Sequence, residues 1–355
     1  MSIPYITADL RGLRENVDRC AQLCHDRGLS LAAVAKCIAP DERITSMLED
    51  SLCDWIADAR LDNLRALRTS KPRFLIRVAQ PWEVDEVVRL AEISLQSEAG
   101  TAALLGKAAE RAGVRHRVIL SCDLGDLREG CFFENEDDIF RTAEAILASP
   151  ALELYGVGMN LGCFGGVLPC AENMTGLVRI ADALRQRYGI AAPVISGGSS
   201  TLIHHLLRDE VVPGINNCRI GELWLTGHDP GLGVDIDGYR HDAIRLTAQL
   251  VEVKNKPSKP IGPIGGDAFG VVHERPDMGL MRRGILACGK QDVDLDGMIP
   301  VDGRVRVLGG SSDYTILDLT DAPEYAVGDT LDFRLQYGAV LRAFSSRYIE
   351  RRYIE

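Results

Sequence analysis

The stretch LAAVAKCIAP, residues 31–40, contains the feature on which the fold assignment depends. Residues 31–35 form a short apolar run that ends at Lys36, and Pro40 follows as a turn signal, which is typical of a buried strand. A lysine at the end of such a strand has two explanations. Its ammonium can extend into solvent, or the lysine can lie at the mouth of a barrel, where burial lowers the pKa of its amine and lets it form a Schiff base. The rest of the chain discriminates between them.

Short apolar runs alternate with longer amphipathic segments over the first two-thirds of the chain. Such alternation with short connections indicates a parallel sheet with right-handed crossovers, and about eight repeats indicate a closed (β/α)8 TIM-like barrel rather than an open sheet. Reactive groups in these barrels lie at the carboxyl ends of the strands, and Lys36 has that position. Candidate strands are residues 31–35, 74–78, 118–122, 154–159 and 193–196, and candidate helices are residues 83–93, 99–112, 135–148 and 173–188.

The sequence changes character after about residue 227. GHDPGLGVDIDG, residues 227–238, is rich in glycine and aspartate and is predicted to be a linker or loop. Strand-like segments follow at residues 243–253, 305–308, 315–318 and 330–333, and Asp302-Gly303 is a candidate hairpin turn. We therefore predict an N-terminal strand at residues 1–8 that packs with the later domain, a barrel at residues 9–228 and an all-β C-terminal domain at residues 229–355.

Composition restricts the class of protein. The 355-residue chain has a formal net charge of −11 and scattered basic residues, which disfavours nucleic-acid binding. No apolar run is long enough to cross a bilayer, and the first nine residues lack a basic segment followed by an apolar core. We therefore expect a cytoplasmic location and no membrane partner. The ten cysteines show no zinc-site spacing, so we expect no metal site and mostly buried cysteines without a disulfide framework.

Two loops after candidate strands carry polar groups suited to ligand binding. SCDLGDLREG, residues 121–130, presents Arg128, whose guanidinium can bind a carboxylate through two parallel hydrogen bonds. A solvated loop arginine is the alternative. LYGVGMNLGCFGG, residues 154–166, places Asn160 at the end of another strand, where glycines let the backbone approach a ligand closely. A tight barrel loop explains this composition as well.

Three further positions have a functional and a structural interpretation. In VISGGSSTLIHHLL, residues 194–207, the hydroxyls of Ser199, Ser200 and Thr201 flank a helix start that suits a phosphate, although such residues are also ordinary N-caps. In NNCRIGELWLTG, residues 216–227, Arg219 can hydrogen-bond a heterocycle nitrogen or form a structural ion pair. Tyr337 in RLQYGAV can contact a phosphate or fill the core.

Taken in order, these motifs resemble those of the fold-type III pyridoxal-phosphate enzymes of the alanine racemase class, and most closely the alanine/ornithine racemase subfamily. The resemblance covers nearly the whole chain. YITADLRGLRENV is similar to the opening strand and helix of the family, AAVAKC to its cofactor-lysine strand and CDLGDLREG to the loop whose arginine lies near the substrate carboxylate. CRIGE is similar to the Arg-x-Gly motif, and VRVLGGSSDYTILDLTD with the later VGD resembles the β-domain.

The resemblance implies a role for each of these residues. Lys36 would carry pyridoxal 5'-phosphate, and Arg128 would contact the substrate. Racemisation needs a base on each face of the α-carbon, and the second base of this family comes from the partner subunit, which implies a homodimer with shared active sites. Asn160 falls where alanine racemases have a histidine that packs on the cofactor ring. The implied cofactor-binding residues are Lys36, Asn160, Ser199, Ser200, Thr201, Arg219 and Tyr337.

One position departs from the family pattern. Alanine racemases have a catalytic tyrosine in the β-domain, whereas ACGKQDVD, residues 287–294, has Lys290 in its place and Cys288 nearby. Either can be the second base, because a lysine in an apolar, cation-rich pocket and a thiolate near cations both exchange protons near neutrality. The departure favours a basic substrate such as ornithine or lysine, with Ser312 and Asp313 of GGSSDY as substrate contacts. A turn-stabilising role for Asp313 is the alternative.

We therefore predict a pyridoxal-phosphate-dependent amino-acid racemase that exchanges the α-proton through two bases. The alternatives are an alanine racemase, a decarboxylase or D-amino-acid lyase on the same scaffold, and a non-catalytic pyridoxal-phosphate-binding homeostasis protein. The β-domain disfavours the last of these, and Arg219 disfavours a decarboxylase, although Glu222 nearby keeps that alternative open. A metal-dependent lyase needs a closely spaced His/Cys pair, and His273 and Cys288 are too far apart in sequence.

Overall fold

A computed structural model describes residues 3–190, 194–272 and 276–355. The chain divides into two compact units, one of Gly12–Arg240 and the other of Met1–Arg11 with His241–Glu355. We refer to them as the barrel unit and the C-terminal unit. Pro193, the first residue of a predicted strand, and His273 lie outside the described residues.

Both units contain several strands. In chain order they are β1 (Tyr5–Asp9), β2 (Ser30–Val34), β3 (Trp55–Asp58), β4 (Arg73–Leu75), β5 (Ile93–Gln96), β6 (His116–Asp123), β7 (Cys131–Phe132), β8 (Leu152–Met159), β9 (Val194–Ser196), β10 (Asn217–Ile220), β11 (His228–Asp229), β12 (Val234–Asp235), β13 (Ile244–Pro257), β14 (Leu280–Leu286), β15 (Met298–Pro300), β16 (Arg306–Gly310), β17 (Thr315–Asp318), β18 (Thr330–Leu335) and β19 (Glu350–Ile354).

Two helices illustrate how the sequence sets a helix boundary. The Asn135 side chain accepts a hydrogen bond from the backbone of Asp138 at the start of α6, and Gly113 ends α5 in the left-handed conformation that favours glycine. The α-helices are α1 (Leu10–His25), α2 (Glu42–Glu49), α3 (Leu61–Ala66), α4 (Val84–Leu90), α5 (Ala99–Ala112), α6 (Glu136–Leu147), α7 (Ala171–Tyr188), α8 (Ile203–Arg208), α9 (Glu222–Thr226) and α10 (Tyr337–Ser345). Short 3₁₀ turns occupy Lys36–Ile38, Ser200–Leu202 and Leu295–Gly297.

Parallel strands close into a barrel in the first unit. The hydrogen-bonded order is β2, β3, β4, β5, β6, β8, β9 and β10, and β10 pairs with β2 to complete the ring, while β7 adds to the edge of β6. Each pairing around the ring is parallel, so every strand ends on the same side. The predicted (β/α)8 barrel is therefore confirmed. Buried apolar side chains from six of these strands form one cluster: Ala32, Val34, Ala57, Phe74, Ile93, Leu95, Ile119 and Val194.

Three barrel strands were not predicted from the sequence. β3, β5 and β10 have four residues each, and their short runs WIAD, ISLQ and NCRI contain polar residues, so they lack the continuous apolar run by which other short strands were predicted. The predicted helix at residues 83–93 ran into β5, because the apolar residues of α4 continue into the buried Ile93 without a glycine or proline between them. Helix α5 has the predicted bounds.

The segment at residues 227–238, predicted to be a linker or loop, is a packed loop with a short ribbon. β11 and β12 pair as a short antiparallel ribbon, and the side chains of Ile236 and Tyr239 are buried within the barrel unit. Arg240, whose backbone N–H donates to Asn16 in α1, is the last residue of that unit. The glycine- and aspartate-rich composition therefore marks tight turns of a packed ribbon.

The C-terminal unit is built on a largely antiparallel sheet. The strand order is β15, β18, β13, β14, β17 and β16, and β1 joins it by pairing antiparallel with β13 and parallel with β19. The all-β expectation is wrong in one respect, because α10 follows β18. The predicted hairpin at Asp302-Gly303 is also wrong, since the flanking strands β15 and β16 pair with β18 and β17 respectively.

The cysteines are all free. Cys163 and Cys170 are exposed and the other cysteines are buried, as predicted for most of them. Within the described chain, none of the helices combines the length and apolarity that a bilayer crossing requires.

Candidate active site

A cavity of about 240 Å³ opens in the barrel unit where the parallel strands end. Four predicted site residues line it: Lys36, Arg128, Asn160 and Arg219. Lys36 and Asn160 come directly after β2 and β8, Arg128 follows β6, and Arg219 lies in β10. Barrel closure thus brings together side chains that are far apart in sequence. The remaining lining residues are Ala59, Ile76, Arg77, Val78, Leu95 and Glu129.

Lys36 begins a 3₁₀ turn immediately beyond β2. Asp58 ends the neighbouring strand β3, is only 1% exposed, and accepts hydrogen bonds from the backbone of Arg60 at 2.8 Å and the side chain of Asn63 at 3.0 Å. Burial raises the pKa of Asp58 to about 6, although these hydrogen bonds and the nearby Lys36 ammonium act in the opposite direction. Lys36 therefore projects from a strand end beside a buried carboxyl group.

Arg219 is a buried cation with a defined set of partners. Its guanidinium donates to the hydroxyl of Ser196 and to the carbonyl of Met159, and Ser196 donates to Asn217 at 2.5 Å. Burial lowers the pKa of Arg219 to about 10, so the side chain stays charged at neutral pH. Gly158 on β8 lies next to this arrangement, and a Cβ there would crowd Ile119 Cγ2 at 3.2 Å and Ser196 Cβ at 3.3 Å. The guanidinium is consequently fixed beneath the cavity rather than flexible within it.

Asn160 begins a loop that is organised by a residue that we did not predict. Asp126 is fully buried, and its carboxylate accepts hydrogen bonds from the backbone N–H groups of Gly162, Cys163, Phe164 and Val167 at 2.9–3.3 Å. Burial alone would raise the pKa of Asp126, but these four donors outweigh it and lower the pKa. The Asp126 carboxylate therefore fixes the loop that begins with Asn160.

The amide of Asn160 is an unsatisfied group in the cavity. Its Nδ2 atom is buried and has no hydrogen-bond partner among the residues that the structure describes. Arg128, on the facing loop, forms a bidentate ion pair with the adjacent Glu129. A substrate carboxylate at Arg128 would therefore compete with Glu129 for the same donors.

The hydroxyls of the GGSST turn are close together. Ser200 Oγ accepts hydrogen bonds from the backbone N–H groups of Gly221 and Leu223 at 3.2 and 3.3 Å, so it caps α9. The hydroxyls of Ser199 and Thr201 lie 3.2 Å apart, and Ser199 also donates to the carbonyl of Leu161 at 3.5 Å. The turn thus combines the structural role of a cap with hydroxyl groups that can donate to a phosphate.

Lys290 and Cys288 lie in the C-terminal unit just beyond β14. The backbone N–H of Lys290 donates to Ser311 at 2.8 Å, which places Lys290 beside the turn that carries Ser312 and Asp313. Its surroundings differ from the cation-rich pocket that we predicted, because the Asp267 carboxylate lies 3.4 Å from its ammonium. Burial raises the pKa of Cys288 to about 12, so this thiol is protonated near neutrality.

The other predicted residues of this unit are more exposed. The Asp313 carboxylate accepts from Gln291 Nε2 at 3.2 Å and from the Ser312 hydroxyl at 3.0 Å. Tyr337 is the first residue of α10 and is half-buried. Lys290, Ser312 and Asp313 are thus close to one another, whereas Tyr337 lies on a separate element.

The barrel cavity fits pyridoxal 5'-phosphate. The cavity offers a primary amine at Lys36, an unsatisfied amide at Asn160 and a fixed guanidinium at Arg219. The positive charges of this site complement a cofactor that carries an anionic phosphate. Across residues 3–190, 194–272 and 276–355 there is no group of three or more histidine, cysteine or acidic side chains arranged to hold a metal ion.

Comparison with known proteins identifies the family. The family described as "Alanine racemase, N-terminal domain" matches residues 8–223, and the chain belongs to it. The chain is 41% identical over 350 residues to an ornithine racemase of Acetoanaerobium sticklandii, with 98% of this chain and 99% of that protein covered. It is 31% identical over 356 residues to a lysine racemase of Thermotoga maritima, with 99% of each chain covered. The resemblance seen in the sequence is therefore confirmed.

Solved structures agree with this fold. An alanine racemase of Streptomyces lavendulae superposes with a TM-score of 0.74 at 19% identity, covering 100% of this chain and 98% of that one. A D-threo-3-hydroxyaspartate dehydratase of Delftia sp. HT23 superposes with a TM-score of 0.72 at 16% identity, covering 97% and 92%. At these identities the comparison supports the fold and does not distinguish racemase from dehydratase.

The loop organised by Asp126 yields a prediction. Replacing Asp126 with Asn should leave N–H groups without acceptors and destabilise the protein by about 3 kcal/mol at pH 7. Hydrogen exchange at residues 162–167 should accelerate more than elsewhere. Because the folded-state pKa of Asp126 is lowered, its stabilising contribution is present above about pH 4 and is lost as the pH falls towards the folded pKa. The difference between variant and wild type should therefore shrink on acidification.

Asp137→Asn provides the control, since Asp137 is an exposed residue in the first turn of α6. This variant should unfold within about 0.5 kcal/mol of wild type. Equal exchange rates at residues 162–167 in Asp126→Asn and wild type would contradict the assigned role.

Proposed function

We propose that this protein is a pyridoxal-phosphate-dependent racemase of basic amino acids, with ornithine or lysine as substrate. The observation that carries the proposal is the single cavity lined by Lys36, Asn160, Arg128 and Arg219 at the carboxyl ends of the barrel strands. The ornithine and lysine racemases to which the chain is similar support the choice of substrate.

The residues that would hold the cofactor are those of the barrel cavity and its neighbouring turn. Lys36 would provide the amine that carries it, Arg219 would face the pyridine nitrogen, and Ser199, Ser200 and Thr201 would bind the phosphate. Tyr337 would contribute a further phosphate contact. Pyridoxal 5'-phosphate, when bound, withdraws electrons from the α-carbon of a bound amino acid and thereby acidifies its proton.

The fixed charge on Arg219 favours an unprotonated pyridine nitrogen. A second positive charge next to a buried guanidinium is unfavourable, so a proton on that nitrogen is disfavoured. An unprotonated pyridine nitrogen would withdraw electrons less strongly from the α-carbon. It would still permit proton exchange there, and it would restrain side reactions such as transamination.

Two amines would move the proton at the α-carbon. Lys36 would act on one face, and Lys290 would act on the other, since racemisation requires a base on each face. Cys288 is the weaker candidate, because burial raises the pKa of its thiol to about 12. Arg128 would bind the substrate carboxylate after the substrate carboxylate has displaced the Glu129 carboxylate from the Arg128 guanidinium. Ser312 and Asp313 would contact the substrate near Lys290.

We further propose that the protein works as a homodimer in which Lys290 of one subunit serves the barrel cavity of the other. The cytoplasmic location expected from the sequence stays a prediction.

The proposed activity is tested by supplying holoenzyme with a panel of single enantiomers and separating the products by chiral chromatography. L- and D-ornithine or lysine should each yield the opposite enantiomer, and alanine should react at least about 100-fold more slowly in kcat/KM. Preferential turnover of alanine would redirect the assignment to an alanine racemase. Loss of the amino group or carboxylate, without inversion, would indicate a lyase or decarboxylase.

The shared active site predicts complementation between two inactive variants. Lys36→Ala and Lys290→Ala homodimers should each lack racemase activity, whereas their mixed dimer contains one site with both lysines. Mixing equal amounts and allowing subunit exchange should restore about a quarter of wild-type activity.

Two controls accompany that experiment. Lys290→Ala should retain the cofactor absorbance of wild type, because the proposed role of Lys290 is proton transfer. Exchange of tagged subunits is measured in the same mixture. Verified exchange without recovered activity would show that each subunit supplies both of its own bases.

A further inference from the structure

The ammonium of Lys290 is held by two groups from one loop of the C-terminal unit. It lies 3.4 Å from Asp267 Oδ2 and 4.3 Å from the centroid of the Phe269 ring, over the face of that ring. The side chains of Lys290 and Asp267 are only 24% and 25% exposed, so this charge pair is partly shielded from water. A carboxylate and an aromatic face are together a binding site for an alkylammonium group.

The site is built by its own turn and not by Lys290. Asp267 Oδ1 accepts hydrogen bonds from the backbone N–H groups of Phe269 at 2.8 Å and Val271 at 3.0 Å, and the Asp267 N–H donates to the Val271 carbonyl at 2.9 Å. One carboxylate oxygen thus closes the turn while Oδ2 faces the ammonium. Phe269 belongs to the same turn, so its side chain begins close to the Asp267 carboxylate.

We propose that Asp267 and Phe269 bind the side-chain ammonium of the substrate, which selects basic over neutral amino acids. This inference rests on the proposed racemase function. Lys290 shows that the pair accommodates a primary alkylammonium, and the side chains of ornithine and lysine end in the same group. Both residues line a cavity of about 1110 Å³ that also contains Lys290, so a substrate side chain has room to enter.

The distance between the Lys290 ammonium and the Asp267 carboxylate allows both groups to contact one substrate molecule. In ornithine four bonds of about 1.5 Å separate the α-carbon from the terminal nitrogen, which allows a reach of about 5 Å. Lys290 and Asp267 are 3.4 Å apart, so a base at the α-carbon and a carboxylate at the terminal ammonium can serve one ornithine molecule. Binding of the substrate ammonium would also withdraw Asp267 from Lys290.

Asp267 is better placed for this role than Asp313. The Asp313 carboxylate is exposed and already accepts from two neutral donors, Gln291 and the adjacent Ser312. Asp267 instead faces an ammonium and is three-quarters buried, and a shielded carboxylate discriminates charge more strongly than an exposed one.

The test compares Asp267→Asn and Phe269→Leu holoenzymes on ornithine and on norvaline, which has the ornithine carbon skeleton without the ammonium. Asn keeps the oxygen that accepts from Phe269 and Val271, so the turn is retained. Asp267→Asn should lower kcat/KM for ornithine about 30-fold, mainly through KM, and change norvaline less than about threefold. Phe269→Leu should give a smaller loss, about fivefold, with the same selectivity. Asp277→Asn is the matched control, because Asp277 is an exposed carboxylate of the same loop that accepts from the backbone N–H of Gly279 at 3.0 Å and lies outside the lining of this cavity, so both substrates should be unchanged.

Calorimetric binding of ornithine to each holoenzyme separates this inference from the proposed function. A wild-type protein that binds ornithine but racemises no basic amino acid would refute the function, and weaker binding in Asp267→Asn would still support the site. An unchanged dissociation constant in Asp267→Asn would overturn the inference. So would an equal loss of kcat on ornithine and norvaline, which would make Asp267 a positioning residue for Lys290.

Discussion

Closure of the parallel barrel is the constraint on which the site depends. Because β10 pairs with β2, every strand of the ring ends on the same side, and residues between 36 and 219 in the sequence line one cavity. An open sheet of the same strands would separate Lys36 from the carboxyl ends of β8 and β6. Lys36, the two arginines and Asn160 are therefore brought together by strand pairing, and no direct contact among them is needed.

Two buried charges lie in or near the cavity, and the fold provides hydrogen-bond partners for both of them. Arg219 is held by Ser196 and the Met159 carbonyl, and Asp126 by four backbone N–H groups. A buried charge without partners would cost several kcal/mol. Full compensation makes these residues rigid, which suits a site that must present fixed groups to a cofactor. In the C-terminal unit, Asp267 and Phe269 likewise provide partners for a cation, the Lys290 ammonium.

The sequence was sufficient for the barrel and the family, because these depend on local patterns, and it also singled out Lys36 as the proposed cofactor lysine. The apolar run before Lys36 is visible in ten residues, and α5 shows its helical period over its full length. Strands of four residues, such as β10, have no period to detect, so Arg219 was assigned through its motif. The ribbon at β11 and β12 was missed because glycine and aspartate are equally common in loops and in packed turns.

The remaining site residues depend on contacts between distant segments. Asp126 acts on the loop at residues 162–167, about forty residues further along the chain, through backbone donors that leave no sequence signal. The sequence shows only that Asp126 is the second aspartate of DLGDLREG and lies two residues before Arg128. Asp267 acts on Lys290 across a sequence separation of 23, from a segment without helical or strand periodicity. Such pairings follow from tertiary structure and could not be predicted from residue types alone.

The central claim is that the barrel cavity presents Lys36 to pyridoxal 5'-phosphate. The most direct measurement is borohydride reduction of the holoenzyme, followed by proteolysis and mass spectrometry of the peptides. The peptide containing Lys36 should gain the mass of the reduced cofactor, and Lys36→Ala should lose both this modification and the near-visible absorbance of the protein. Modification of a different lysine in the wild-type protein, with Lys36 unmodified, would contradict it.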